Sequence, residues 1–166
     1  YAKLRAKLGA RVVGLINSRN SPLGAVCAEE FDLGAGKELA VAATKTTFAA
    51  GLSALGLVAG YLGEAGGGLR AAIARLPGRV REAQLHEWAA LVDSIVGAKT
   101  VFILGRGATF GVAKEVALKI SEATGIPAVA YSAAEFLHGP MAAASSRTPV
   151  LALCSDPQSL PSVMVA

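Results

Sequence analysis

The chain is poor in the residues that usually announce a site: two cysteines, two histidines, one tryptophan and 5% aromatics in 166 residues. Cys27 and Cys154 are far apart and near no histidine cluster, which excludes a disulfide framework and a zinc site and leaves both thiols as expected buried packing residues. A formal net charge of +4 comes from lysines and arginines scattered over several helical stretches, without interleaved aromatics. That pattern excludes nucleic acid as the main partner. Charged residues are 17% and apolar residues 53% of the chain, a balance that excludes disordered and fibrous classes and suffices for a core. No secretory leader is read, and Leu4 and Leu8 followed by Gly9 place the first residue inside a helix.

Long apolar runs are also scarce. The exception is Thr46 to Gly63, 18 residues without a charge, close to the minimum for a membrane span. Phe48, Leu52, Leu55, Val58 and Leu62 share one face of this helix, and Gly51, Gly56 and Gly60 thin another, as in a helix packed closely inside a protein. Lys45 and Glu64 bracket it and leave it short for lipid. A buried helix and no membrane partner are expected.

The remaining pattern alternates. A β-branched run at Arg11 to Ile16 precedes a turn-rich stretch, a brief helix at Ser21 to Ala28 and a strand at Phe31 to Leu33. The long helix then covers about Ala42 to Leu62. Gly66, Gly67 and Gly68 interrupt, and an amphipathic helix follows with Leu69, Ile73 and Leu76 inward and Arg70, Arg75 and Arg79 outward. A helix over Glu87 to Val96 leads to strand, helix, strand, short helix and a last strand at Pro149 to Cys154. Strands alternating with helices predict an α/β fold: a parallel sheet with helices on both faces.

The most informative stretch is Val101 to Met141. An apolar strand opens into Gly105, Arg106 and Gly107, and the next helix places Glu115, Lys119 and Glu122 within one narrow arc, with Val112, Ala113, Val116 and Ile120 on another. Two carboxylates thus flank one ammonium. A solvated ion-pair stripe has the same spacing, but a helix after a strand and a glycine turn starts at the edge of the sheet where open α/β folds bind ligands. Gly105 to Gly111 has glycines like those of a dinucleotide fingerprint, yet Tyr131 and Ser132 stand where an acidic residue would meet a ribose. Tight turning is the better reading of those glycines, and nothing implies a metal or an organic cofactor.

Three segments, Gly36 to Thr46 (GKELAVAATKT), Leu104 to Glu122 (LGRGATFGVAKEVALKISE) and Tyr131 to Met141 (YSAAEFLHGPM), resemble the sugar isomerase (SIS) domains of glucosamine-6-phosphate synthase and of its relatives that lack a glutaminase portion. The resemblance implies tandem SIS domains of flavodoxin-like type. Residues 1–64 would be the second half of a first domain, 65–97 connecting helices, and 98–166 the first part of a second. It also implies that a Ser-Gln-Ser-Gly-type phosphate loop and a C-terminal lysine lie outside this sequence, so the chain is expected to be an incomplete version of a longer protein, inactive alone.

Carried over by resemblance, Glu122 is the base that moves a proton between C1 and C2 of a hexose 6-phosphate. Lys119 lies beside the sugar, and His138 opens the ring, reaching into a neighbouring subunit's site. Val41, Ala42, Ala43 and Thr44 line the sugar, and Glu135 supports His138. Ala43 replaces a sugar-contacting serine and Lys37 a threonine, which weakens the case for glucosamine-6-phosphate synthesis itself. The expected activity is a phosphosugar isomerase, or an aminosugar-phosphate isomerase or deaminase using free ammonia, in a cytoplasmic homodimer. The alternative is a non-catalytic module that binds a phosphosugar and regulates something else.

Overall fold

A computed structural model describes residues 2–37, 44–63, 66–155, 157 and 160–165. The chain divides into two compact units, Tyr1–His86 and Glu87–Ala166.

In the first unit, helix α1 (Ala2–Lys7) precedes strands β1 (Val13–Ile16) and β2 (Glu29–Asp32), which pair in parallel with Val13 opposite Glu29 and Ile16 opposite Asp32. The helix expected at 21–28 is a single 3-10 turn at Gly24–Val26. The Ser21 Oγ accepts the Gly24 N–H at 3.1 Å, and the Ala28 N–H is already committed to the Val12 carbonyl at 2.7 Å, so strand pairing ends the helix after one turn. The β2 strand begins two residues earlier than expected and ends one earlier, and all four of its residues are exposed. Past the strands, Asn17 ties down the return loop by donating to the Gly36 carbonyl at 2.7 Å and accepting the Ala35 N–H at 2.9 Å. Asp32 accepts the Gly34 N–H and pairs with Arg19 at 3.1 Å, and these two contacts hold its carboxyl below the usual carboxylate range.

Helices α2 (Thr44–Leu62) and α3 (Gly66–Gln84) complete the unit and pack on each other. The three glycines expected to interrupt the chain instead form the first turn of α3. Gly56 of α2 meets Ile73 of α3 so closely that an added Cβ would lie 2.8 Å from its Cδ1, the small-residue approach expected of this helix. Its burial is not: Leu52, Leu55 and Val58 are all about half exposed. Leu69 and Leu76, expected inward, are exposed as well. The α3 contact covers one side of α2 and leaves the leucine stripe outside it. Among the described residues no helix is long and apolar enough to cross a membrane.

The second unit runs α4 (Ala89–Ile95), β3 (Val101–Gly105), α5 (Ala108–Thr124), β4 (Ala128–Ser132), α6 (Ala133–Phe136), a 3-10 turn (Pro140–Ala143), β5 (Val150–Leu153) and α7 (Leu160–Val165). The sheet is parallel in the order β4-β3-β5. All five residues of central β3 are buried, which explains its unbroken apolar run. Val101 and Ile103 pack with Ala113 and Ala117 of α5; Phe102 and Leu104 point to the other face and pack with Phe136.

The core face of α5 departs from expectation at one residue, Val112. Val112 is 45% exposed, whereas the two alanines, Ala113 and Ala117, are buried and Val116 and Ile120 lie at the core margin. Small side chains let the helix sit close to the sheet, and its first turn sits closest. A Cβ on Gly105 would lie 2.6 Å from the Thr109 carbonyl oxygen and 3.0 Å from the Phe110 Cα. Backbone cannot rotate away as a side chain can, so Gly105→Ala is expected to cost about 3 kcal/mol, measured as a lower urea midpoint at unchanged slope. Cys154, expected in the core, is exposed, and Cys27 is half-buried. Cys154 directly follows β5, beyond the last residue that pairs with β3.

Candidate active site

Strand order reverses at β3. The chain passes from β3 through α5 to β4 on one side and then crosses to β5 on the other, so the carboxyl ends of β3 and β5 flank a topological switch point. Thr109, which the sequence reading passed over, holds this point together. Its buried hydroxyl accepts the Arg106 N–H at 2.9 Å and lies 2.8 Å from the Arg106 carbonyl and 3.1 Å from the Leu153 carbonyl, both of which it can donate to. One side chain thereby closes the glycine turn and ties it to β5. A threonine two residues after the second glycine of the turn is an ST-type capping signal that could have been read. Thr109→Val is isosteric but strands the Arg106 N–H, and we expect a loss of about 1–3 kcal/mol, checked by thermal unfolding against Thr109→Ser, which keeps the hydroxyl.

On α5 the expected polar face forms. Lys119 Nζ pairs with Glu122 Oε2 and lies 3.9 Å from Glu115 Oε1. This is not a solvated stripe: the Lys119 side chain is only 14% exposed and that of Glu115 21%, while Glu122 at 34% is the most accessible of the three. Glu115 Oε1 is fully buried and accepts no hydrogen bond. Two carboxylates against one ammonium leave the cluster with a net charge of −1. Such a trio can accept a proton at Glu122 and offer Lys119 to a developing oxyanion. Its local frame is firm, because Ser121 Oγ accepts the Ala128 N–H at 3.0 Å and pins the last turn of α5 to the start of β4.

His138 and Glu135 lie elsewhere. Phe136 is 1% exposed and anchors α6 on the sheet face opposite α5, with its ring 5.4 Å from that of Phe102 and 5.8 Å from that of Tyr131. Two residues on, His138 is exposed, its N–H donating to the Glu135 carbonyl at 3.0 Å. Glu135 supports His138 through the main chain only; among the described residues neither side chain has a hydrogen-bond partner. Gly139 adopts φ 148°, a conformation that L side chains rarely adopt, and Pro140 opens the next 3-10 turn, so the Gly-Pro pair turns the chain sharply just after the imidazole. The structure thus assembles Glu115, Lys119 and Glu122, and it sets Glu135 and His138 on the other side of the sheet. Val41, Ala42 and Ala43 fall outside the described residues. Thr44 opens α2, and its side chain is likewise outside them.

Comparison with known proteins agrees with this architecture. Residues 94–166 match the family model of the SIS domain. The glutamine–fructose-6-phosphate aminotransferase (isomerizing) of Gloeobacter violaceus is 35% identical over 87% of this chain and 26% of its own length. That of Halobacterium salinarum is 33% identical over 91% of this chain and 27% of its own. The chain therefore spans about a quarter of the length of the curated relatives it matches. Among solved structures, a protein named as a phosphosugar isomerase from Silicibacter pomeroyi superposes with a TM-score of 0.82 at 35% identity, covering 99% of this chain and 51% of the other. The C-terminal domain of the aminotransferase from Francisella tularensis gives 0.72 at 26% identity, covering 92% and 48%.

Proposed function

Because this chain belongs to the SIS family, matched over residues 94–166 and related along most of its length to the isomerase part of the aminotransferases, we propose that it carries the proton-transfer machinery of a phosphosugar isomerase. The observation that supports this reading is the half-buried trio on α5, in which the most exposed carboxylate, Glu122, is held by Lys119. A surface stripe would leave the lysine in water.

In this reading a hexose 6-phosphate is opened to its carbonyl form by His138, which moves a proton between the ring oxygen and the anomeric hydroxyl. Glu122 then removes the proton from the carbon next to the carbonyl, and the electron pair shifts into an enediol. Lys119 offsets the negative charge left on the former carbonyl oxygen, the proton of the neighbouring hydroxyl passes to that oxygen, and Glu122 returns its own proton to the former carbonyl carbon as the new carbonyl forms. Glu115, with one oxygen buried 3.9 Å from the ammonium, orients Lys119. Since the sheet lies between α5 and α6, His138 serves Glu122 of a second copy, which makes a homodimer the working unit. Val41, Ala42, Ala43 and Thr44 line the sugar from the first unit, Glu135 shapes the His138 turn, and residues 1–64 are the second half of a preceding SIS domain. Ammonia is the nitrogen donor or product if amination accompanies isomerisation, and no cofactor is required. Its place of action is the cytoplasm.

The test is deuterium exchange, followed by proton NMR on the complete gene product in deuterated water with fructose 6-phosphate plus ammonium, and separately with glucosamine 6-phosphate. Loss of the C1 or C2 proton signal into solvent is expected. Absence of exchange with either sugar, alongside measurable binding, would support the regulatory module instead.

A further inference from the structure

We propose that a cleft at the amino edge of the β3–β5 pair, separate from the α5 trio, binds a small phosphate-bearing anion. The segments leading into the two strands run side by side there, since the Phe102 N–H donates to the Pro149 carbonyl at 3.0 Å and the strand register begins at Phe102 opposite Val150. Between them lies a cavity of about 280 Å³ lined by Lys99, Thr100, Ser145, Arg147 and Thr148, with no aspartate or glutamate in its wall. A lysine and an arginine line one cleft, and among the described residues neither has a carboxylate partner.

The hydroxyls are fixed for the same task. Thr148 Oγ1 accepts the Ser145 N–H at 3.0 Å, Ser145 Oγ accepts the Arg147 N–H at 3.3 Å, and the two oxygens lie 2.9 Å apart. One hydroxyl hydrogen is used in the bond between them. The other is left to donate, as are the ammonium of Lys99 and the guanidinium of Arg147. A wall with donors, two positive charges and no competing carboxylate selects an anion with several acceptor oxygens, and the planar guanidinium favours a phosphate group over a halide. None of these residues belongs to the proposed catalytic set, so the cleft is a second site for a phosphate or phosphate ester.

Titration of the ¹⁵N-labelled chain with inorganic phosphate, and separately with glucose 6-phosphate, reads the site through the amide signals of residues 97–100 and 145–148. Saturable shifts at these amides are expected with phosphate, with sodium chloride at matched ionic strength producing none. Arg147→Gln, a change at an exposed side chain, should weaken phosphate binding roughly tenfold, Lys99→Ala should weaken it further, and Glu122→Gln should leave it unchanged. Tighter binding of the sugar phosphate than of phosphate at the same amides would identify an ester as the ligand; equal binding would identify the phosphate group alone. Shifts reproduced by chloride, or unaffected in the Arg147 variant, or lost in the Glu122 variant, would overturn the proposal.

Discussion

Replacing Glu122 with glutamine is expected to lower turnover about 10³-fold while leaving substrate affinity within a few-fold of the parent. The amide is close to isosteric and can still meet Lys119, so the helix and its neighbours stay in place. It cannot take a proton from carbon. A carboxylate positioned as general base contributes about 10² to 10⁴ in rate, so the effect should fall on kcat and spare KM. The control is Glu115→Gln, which removes the other carboxylate beside Lys119; as a positioning residue it should cost about tenfold and shift the pH profile of kcat. Equal, small effects of both substitutions on exchange would reduce the trio to a structural ion pair and favour the binding module.

The second large effect is on stability. Phe136→Ala is expected to destabilise the unit formed by residues 87–166 by about 3–5 kcal/mol, a large share of the 5–15 kcal/mol typical of a whole domain. The ring is buried to 1% exposure against Phe102 and Leu104. Its edge-on contact to Phe102 and its tilted contact to Tyr131 add about 0.5–1.5 kcal/mol per pair beyond the area buried. Loss of this anchor should also free the turn carrying His138, because the other buried residue of α6 is the small Ala133. Guanidinium unfolding followed by circular dichroism measures the loss, and Phe136→Leu, which keeps most of the volume, should recover more than half of it. A change below about 1 kcal/mol for the alanine variant would show that α6 is not anchored in this way.

The central strand was legible from Val101 to Leu104 because a parallel strand buried on both faces must be apolar at every position. The helix after it was legible as an element and in most of its inward face, Ala113, Val116 and Ile120, with Val112 the exception. Hydrophobic spacing placed Val112 with Ala113, Val116 and Ile120, whereas the close approach permitted by Gly105 leaves Val112 outside and brings in the small Ala117. Spacing counts side-chain character; packing against a sheet counts distance. The stripe on α2 shows the same limit, since its leucines share a face by periodicity while α3 packs on the side thinned by Gly56.

By itself the sequence determined the parallel α/β class, the position of β3 and the grouping of Glu115, Lys119 and Glu122, because each follows from the local period of 2.0 or 3.6 residues along one continuous segment. Motif resemblance added the family. Only the tertiary structure decided that the α5 trio is half-buried, that Thr109 bridges β3 and β5, and that His138 lies across the sheet from Glu122. These depend on strand order and on which face each connection covers, and those are set by contacts between residues distant in sequence, which no local period encodes.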